Sequence, residues 1–169
     1  MTLAPPDLVL RGERVTLRPS RPADVDALLA VLAEPAVVRW WRVSTREDVV
    51  EELGVGLTVL VGDAVAGWLL VTEETEPDYR SVAFDIALTT ALHGGGYGRE
   101  ALRLIIAHCI ARGHHRFTID PAVDNERAIR SYAAVGFKPV GILREHERRP
   151  GGRWGDSLLM DLVAREFVA

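Results

Sequence analysis

Apolar positions switch between two spacings along the chain, and the switches mark its elements. Over residues 8–20, "LVLRGERVTLRPS", apolar and polar residues alternate well enough to predict a first strand with a turn at Gly12. Pro22 then opens a helix in which Val25, Leu28, Leu29 and Leu32 fall at i, i+3, i+4 and i+7, the spacing of one buried face. "PAVVRWWR" and "TREDVVEEL" predict two short helices, and residues 57–74 predict a hairpin of two apolar strands around Gly62-Asp63. An acidic loop, "EETEPDYR", leads to a fourth strand, "SVAFDIAL". A helix over 97–112, a fifth strand in "HRFTIDP" and a helix in "DNERAIRSYAAVG" follow, the last with Asp124 or Asn125 as N-cap and Gly136 just past its end. Residues 137–167 predict a closing hairpin over Pro150-Gly151-Gly152. A strand–helix–strand unit at 81–121 inside a strand-rich chain predicts an α/β domain with a mixed sheet.

One segment fits neither spacing. Residues 91–102 read "ALHGGGYGREAL", with four glycines between Gly94 and Gly98 directly ahead of an apolar helix. Glycine is costly to order, so such a cluster needs a cause. A nucleoside-triphosphate loop would require Lys-Ser or Lys-Thr after the last glycine, and Arg99-Glu100 stands there instead. "GYGREA" does match the dinucleotide fingerprint, with Asp120 at about the distance of a ribose acid. Against that, the strand ends near Leu88, a "TTAL" spacer intervenes and Asp85 interrupts the apolar run. A third reading has Gly94, Gly95 and Gly96 curling the backbone so that N–H groups point inward, reinforced by the start of the next helix: a pyrophosphate site. A glycine loop with no ligand stays open as the plain alternative.

Composition narrows the class. The chain has 169 residues, 48% hydrophobic, enough for one domain with a real core over 1–169. A net charge of −4 disfavours a nucleic-acid partner and mildly favours a cationic one. No apolar run reaches membrane-span length and the first residues lack a secretory pattern, so a cytoplasmic protein without membrane attachment is expected. Cys109, the single cysteine, sits in an apolar helix and reads as core. The five histidines show no metal spacing, so no metal is expected.

"HGGGYGREAL" resembles the pyrophosphate loop of the GCN5-related N-acetyltransferases (GNAT), with His93 where that family usually has Gln or Arg. "NERAIRSYAAVGF", about 27 residues further on, is similar to the same family's second signature. The resemblance implies a single-domain GNAT-type fold: a mixed, mostly antiparallel central sheet flanked by helices. It implies acetyl-CoA as cofactor, contacted by Ile86, Leu88, His93, Gly94, Gly95, Gly96, Tyr97, Gly98, Arg99, Asn125 and Ala128. It also implies a strand that splays from its neighbour before the loop, leaving a free edge for the pantetheine and a backbone N–H near Leu88 for the oxyanion.

Acetyl transfer to an amine then needs few protein groups. An aqueous ammonium has a pKa of about 10 and must lose its proton to attack. Asp85, in the strand before the loop, is the candidate base or substrate ligand, and Tyr132 the candidate acid for the leaving thiolate. Tyr132 lies two helical turns, roughly 10 Å, from Asn125, on the same helical face.

Three features bear on the acceptor: four carboxylates in residues 73–79, including Glu73 and Glu74; the pair Trp40-Trp41; and Asp120-Pro121 at a strand end. Carboxylates with flat aromatic walls suit a polycationic, sugar-like molecule. The combination resembles the aminoglycoside 6′-N-acetyltransferases, and by that resemblance Asp85 and Asp120 meet the drug's amines. Alternatives are another small amine such as a siderophore precursor or a polyamine, a protein N-terminus, or a non-catalytic module that binds CoA or a drug. The sequence leaves monomer and homodimer equally open.

Overall fold

The turn at Gly12 divides the first predicted strand in two: β1 (Leu10–Arg11) folds back on β2 (Val15–Pro19), and the Gly12 N–H donates to the Val15 carbonyl at 2.8 Å. The structure is a computed structural model that describes residues 5–42 and 44–169. A single 3-10 turn at Pro22–Asp24 leads into α1 (Val25–Leu32). Val25, Leu28 and Leu32 are buried as their spacing predicts, joined by Val31, while Leu29 lies at the edge of the same cluster. α2 (Pro35–Val38) and α3 (Arg46–Glu51) follow, the latter opened by a reciprocal Thr45–Asp48 cap.

The predicted hairpin forms as β3 (Gly56–Val61) and β4 (Ala64–Glu74), and β5 (Ser81–Leu88) runs antiparallel to β4. α4 (Tyr97–Ala111) then carries the chain back to β6 (Arg116–Ile119), parallel to β5. After α5 (Glu126–Val135), capped by Asn125 and not Asp124, β7 (Lys138–Arg148) and β8 (Trp154–Val163) close the chain as a hairpin. The eight strands form one sheet in the order β1-β2-β3-β4-β5-β6-β8-β7, and every pairing but β5–β6 is antiparallel.

Strand alternation gives the sheet two apolar faces, and each carries its own core. On one face, Leu69, Val71, Val82, Phe84 and Phe117 pack against the α4 stripe Ala101, Leu102, Ile105, Ile106 and Cys109. The Phe84 and Phe117 rings stack with centroids 6.0 Å apart. Cys109 is fully buried there, and burial pushes its thiol up to about 12. On the other face, Trp68, Leu70 and Ala87 pack against α1 and the two short helices through Leu28, Val37 and Val49.

One buried polar group holds the second core in place. Arg18 grips Asp24 with both terminal nitrogens, at 2.7 and 2.8 Å, and Asp24 also accepts from the Arg21 N–H and the Thr58 hydroxyl. Ser20 Oγ lies 3.0 Å from Thr58 Oγ1 and accepts from the Trp68 indole. Burial raises the cost of the Asp24 charge, but the Arg18, Arg21 and Thr58 bonds outweigh it and hold the carboxyl below its ordinary value. Asp24→Ala leaves Arg18 unpaired and should destabilise the fold by about 3 kcal/mol in a denaturant titration at neutral pH. Because the folded carboxyl titrates below its unfolded value of 3.8, that contribution is complete above this value and disappears as pH falls through the folded pKa. The gap between variant and parent should therefore narrow in acid.

Candidate active site

β5 and β6 stay paired for only two residues, Val82 with Phe117 and Ala83 with Thr118. Each strand then follows its outer neighbour. β5 stays on β4 out to the Thr89 N–H, which donates to the Ala66 carbonyl, and the chain after β6 stays on β8 through the Leu158 N–H and the Pro121 carbonyl. The strands diverge, and a cleft of about 900 Å³ opens between them. Backbone groups alternate sides along a strand. With Thr89 directed at β4, the N–H and C=O groups of Ile86 and Leu88 face the open side.

The "TTAL" spacer forms a 3-10 turn, Thr90–Leu92, anchored by Glu34, whose carboxylate accepts from the Thr89 hydroxyl at 2.6 Å and the Thr90 N–H at 2.7 Å. The glycine loop follows. Gly94 and Gly96 have φ of +79° and +84°, values that favour glycine over every other residue. Gly96 is the N-cap of α4, so the N–H groups of Tyr97, Gly98 and Arg99 have no partner within the helix. Arg99, beside Gly96, and Arg127, bonded to His93, add positive charge to the same end of the cleft. His93 folds back on the strand: its Nε2–H donates to the Leu88 carbonyl at 2.9 Å, and the Arg127 guanidinium donates to Nδ1. Burial and Arg127 depress the imidazole pKa against the pull of the Leu88 carbonyl, so a neutral ring fits both bonds.

The other end of the cleft is acidic. Asp85, Asp120, Glu52 and Glu147 line it, with Trp40 and Trp41 as partly exposed walls. Water in the cleft reaches Asp85, but the cleft walls displace most of the bulk solvent that would stabilise its charge. That burial, with repulsion from Asp120, Glu147 and Glu52, pushes its carboxyl up to about 6 against the pull of Arg42. Arg42 is already held by Glu52 at 2.5 Å. His146 lies 2.7 Å from Asp120. Tyr132 lines the cleft between the two ends, and burial together with the Asp85 charge raises its phenol above the ordinary value.

Most residues singled out by the sequence therefore meet in one cleft. Ile86, Leu88, His93, Gly94, Gly96, Gly98, Arg99, Asn125 and Ala128 line it, and so do Trp40, Trp41, Asp85, Asp120 and Tyr132. Four do not. Glu73 projects from the opposite sheet face to Asp85 and bonds the buried His114 at 2.6 Å. Glu74 sits at the strand end opposite Ser81 and accepts from the Glu76 N–H. The Gly95 carbonyl is taken by Arg14 and the Tyr97 ring stacks under the same guanidinium, both turned away from the cleft. Asn125 does two jobs: besides lining the cleft, its side-chain oxygen caps α5 by accepting from the Ala128 N–H at 3.2 Å.

The sequence profile described as "Acetyltransferase (GNAT) domain" matches residues 14–138. The chain belongs to the GNAT acetyltransferases. Acetyl-CoA is the cofactor of this family, and the positive-φ glycines, free helix N–H groups and arginines of this acetyltransferase fit a diphosphate. An acetyltransferase-like protein from T. thermophilus is similar over 94% of this chain and 90% of its own, with 26% identity and a TM-score of 0.83. The ribosomal-protein-S5-alanine acetyltransferase of Vibrio fischeri shares the fold over 96% and 100% (16% identity, TM-score 0.81). The spermidine N-acetyltransferase of Vibrio cholerae, in complex with CoA and spermine, shares it over 92% and 98% (18% identity, TM-score 0.77). No curated protein matches the chain in sequence. No helix among the described residues is long and apolar enough to cross a membrane.

Glu52, Glu147, Arg42 and His146 escaped the sequence reading. The charged run "REHERR" inside a predicted strand is the signal that could have drawn attention to Glu147 and His146.

A carboxyl raised from 3.8 to about 6 weakens the GNAT fold once it ionises. The stabilising proton is fully bound in both states below 3.8 and is lost from the folded state as pH rises through 6. Asp85→Asn should thus raise Tm by roughly 2–4 °C at pH 8, an allowance that discounts for the water in the cleft. The gain should fade between pH 6 and 4, as differential scanning fluorimetry across that range would record.

Proposed function

We propose that this acetyltransferase acetylates a primary amine of a small polycationic acceptor of the aminoglycoside class, at the 6′-amine. The observation that supports this reading is the acidic end of the cleft. Asp85, Asp120, Glu52 and Glu147 stand there with two tryptophan walls, well suited to several ammonium groups on a sugar frame. Acetyl-CoA supplies the acetyl group as a thioester.

The chain's own residues do the rest. Asp85, ionised above about pH 6, accepts the proton that the acceptor ammonium must lose. Asp120 holds a neighbouring ammonium, and the His146 contact fixes the direction of its carboxylate. The Leu88 N–H, on the open side of β5, donates to the oxyanion. The Tyr132 hydroxyl keeps its proton at every working pH and offers it to the departing sulfur. The glycine loop and the start of α4 hold the diphosphate, with Arg99 and Arg127 beside them.

A polyamine is the second reading, because a line of carboxylates suits a chain of ammonium groups equally; the Vibrio cholerae enzyme that shares this fold is a spermidine acetyltransferase. The tryptophan walls favour the sugar. Thiol release from acetyl-CoA, measured with kanamycin or tobramycin beside spermidine and N-terminal peptides, decides between them. Steady turnover with the drugs alone supports the first reading. Turnover confined to spermidine selects the second, turnover confined to peptides removes both, and CoA binding without thiol release for any acceptor makes the chain a sensor.

The kcat/KM for the amine should climb through a pKa of about 6, a limb that Asp85→Asn removes. Tyr132→Phe should cut kcat by about 100-fold and leave CoA affinity nearly unchanged. Asp120→Asn should raise the acceptor KM by about 10-fold, with acetyl-CoA KM unaffected; a shift confined to acetyl-CoA would move Asp120 to the cofactor.

A further inference from the structure

Arg14 lies outside the cleft, just before β2, yet it touches the glycine loop and the first turn of α4 at three points. Its Nη1 donates to the Gly95 carbonyl at 2.9 Å, its Nε to Glu100 Oε2 at 3.1 Å, and its guanidinium lies 4.3 Å from the centre of the Tyr97 ring. Glu100 Oε1 in turn accepts from the Arg14 and Val15 N–H groups at 2.7 and 2.9 Å. These contacts bracket Gly96, the residue with φ of +84° that starts α4.

A trans peptide is planar, with its C=O and the following N–H pointing to opposite sides. Holding the Gly95 carbonyl toward Arg14 therefore turns the Gly96 N–H the other way. Gly96 lines the cleft and Gly95 does not. The stacked Tyr97 ring and the Glu100 bonds fix the first turn of the helix that contributes the next N–H groups. We propose that Arg14 is a positioning residue for acetyl-CoA: by holding the Gly95 carbonyl and the Tyr97 ring, it sets the direction of the Gly96 N–H toward the diphosphate. Glu100 completes the strut by holding Arg14 itself.

The test is calorimetric titration of CoA into purified Arg14→Ala and Arg14→Lys proteins, with melting temperatures and steady-state kinetics recorded alongside. CoA binding needs no acceptor, so the result stands apart from the identity of the amine. Arg14→Ala should weaken CoA by about 10-fold or more. The KM for acetyl-CoA should rise by the same factor, with kcat at saturating cofactor within about two-fold. Arg14→Lys restores the charge beside Glu100 but neither the fork nor the stacking, so its affinity should fall between the two. It also keeps the β1–β2 turn intact if the alanine variant does not fold. Either folded variant binding CoA as tightly as the parent overturns the proposal. So does a loss that falls on kcat or on Tm while CoA affinity holds.

Discussion

Two residue pairs join β5 to β6, and everything functional follows from their parting beyond Ala83 and Thr118. A parallel pair that stayed zipped would satisfy its own backbone groups and leave no room. Here each strand keeps its antiparallel bonds to the outer neighbour, β4 or β8, and gives up only the shared ones. The released Ile86 groups and the Leu88 N–H face an opening instead of another strand, while the Leu88 carbonyl is taken by His93. The glycine loop and the first turn of α4 sit directly beyond β5, where the carboxyl ends of strands in open α/β sheets receive ligands.

Charge is divided along that opening. Arg99, Arg127 and helix N–H groups collect at one end; at the other, burial first and the neighbouring carboxylates second keep Asp85 from ionising at its usual pH. Ionising Asp85 in these surroundings destabilises the folded chain. Arg42 moderates the repulsion at Asp85 without abolishing it, since its hydrogen bond goes to Glu52.

How much of this the sequence revealed depends on the range of the interactions. Element order was legible because periodicity is local, and the cleft's basic end and middle because Gly94–Gly98, Asn125 and Tyr132 lie in contiguous motifs. Glu73 and Glu74 misled because closeness in sequence to Asp85 is not closeness in space. Register puts Glu73 opposite Val82, on the α4 face, whereas Asp85 shares its face with Leu70. Glu147 reaches the cleft because the β7–β8 register shifts between Leu143 and Glu147, with Glu145 at φ +48° tied to Asp156. A bulge of this kind has no periodic signature, and only the charged run "REHERR" in an otherwise strand-like segment hints at it. Arg14 was hidden for a related reason: its partners lie more than eighty residues away.

The depth of Cys109 has a practical side. It is the only cysteine of the chain, sealed on the core-facing side of α4 with a thiol that stays protonated at neutral pH. Disulfide-exchange dyes react with thiolate, so the native enzyme contributes almost no colour of its own and the signal comes from liberated coenzyme. For the same reason the liberated coenzyme meets no accessible protein sulfur with which to form a mixed disulfide.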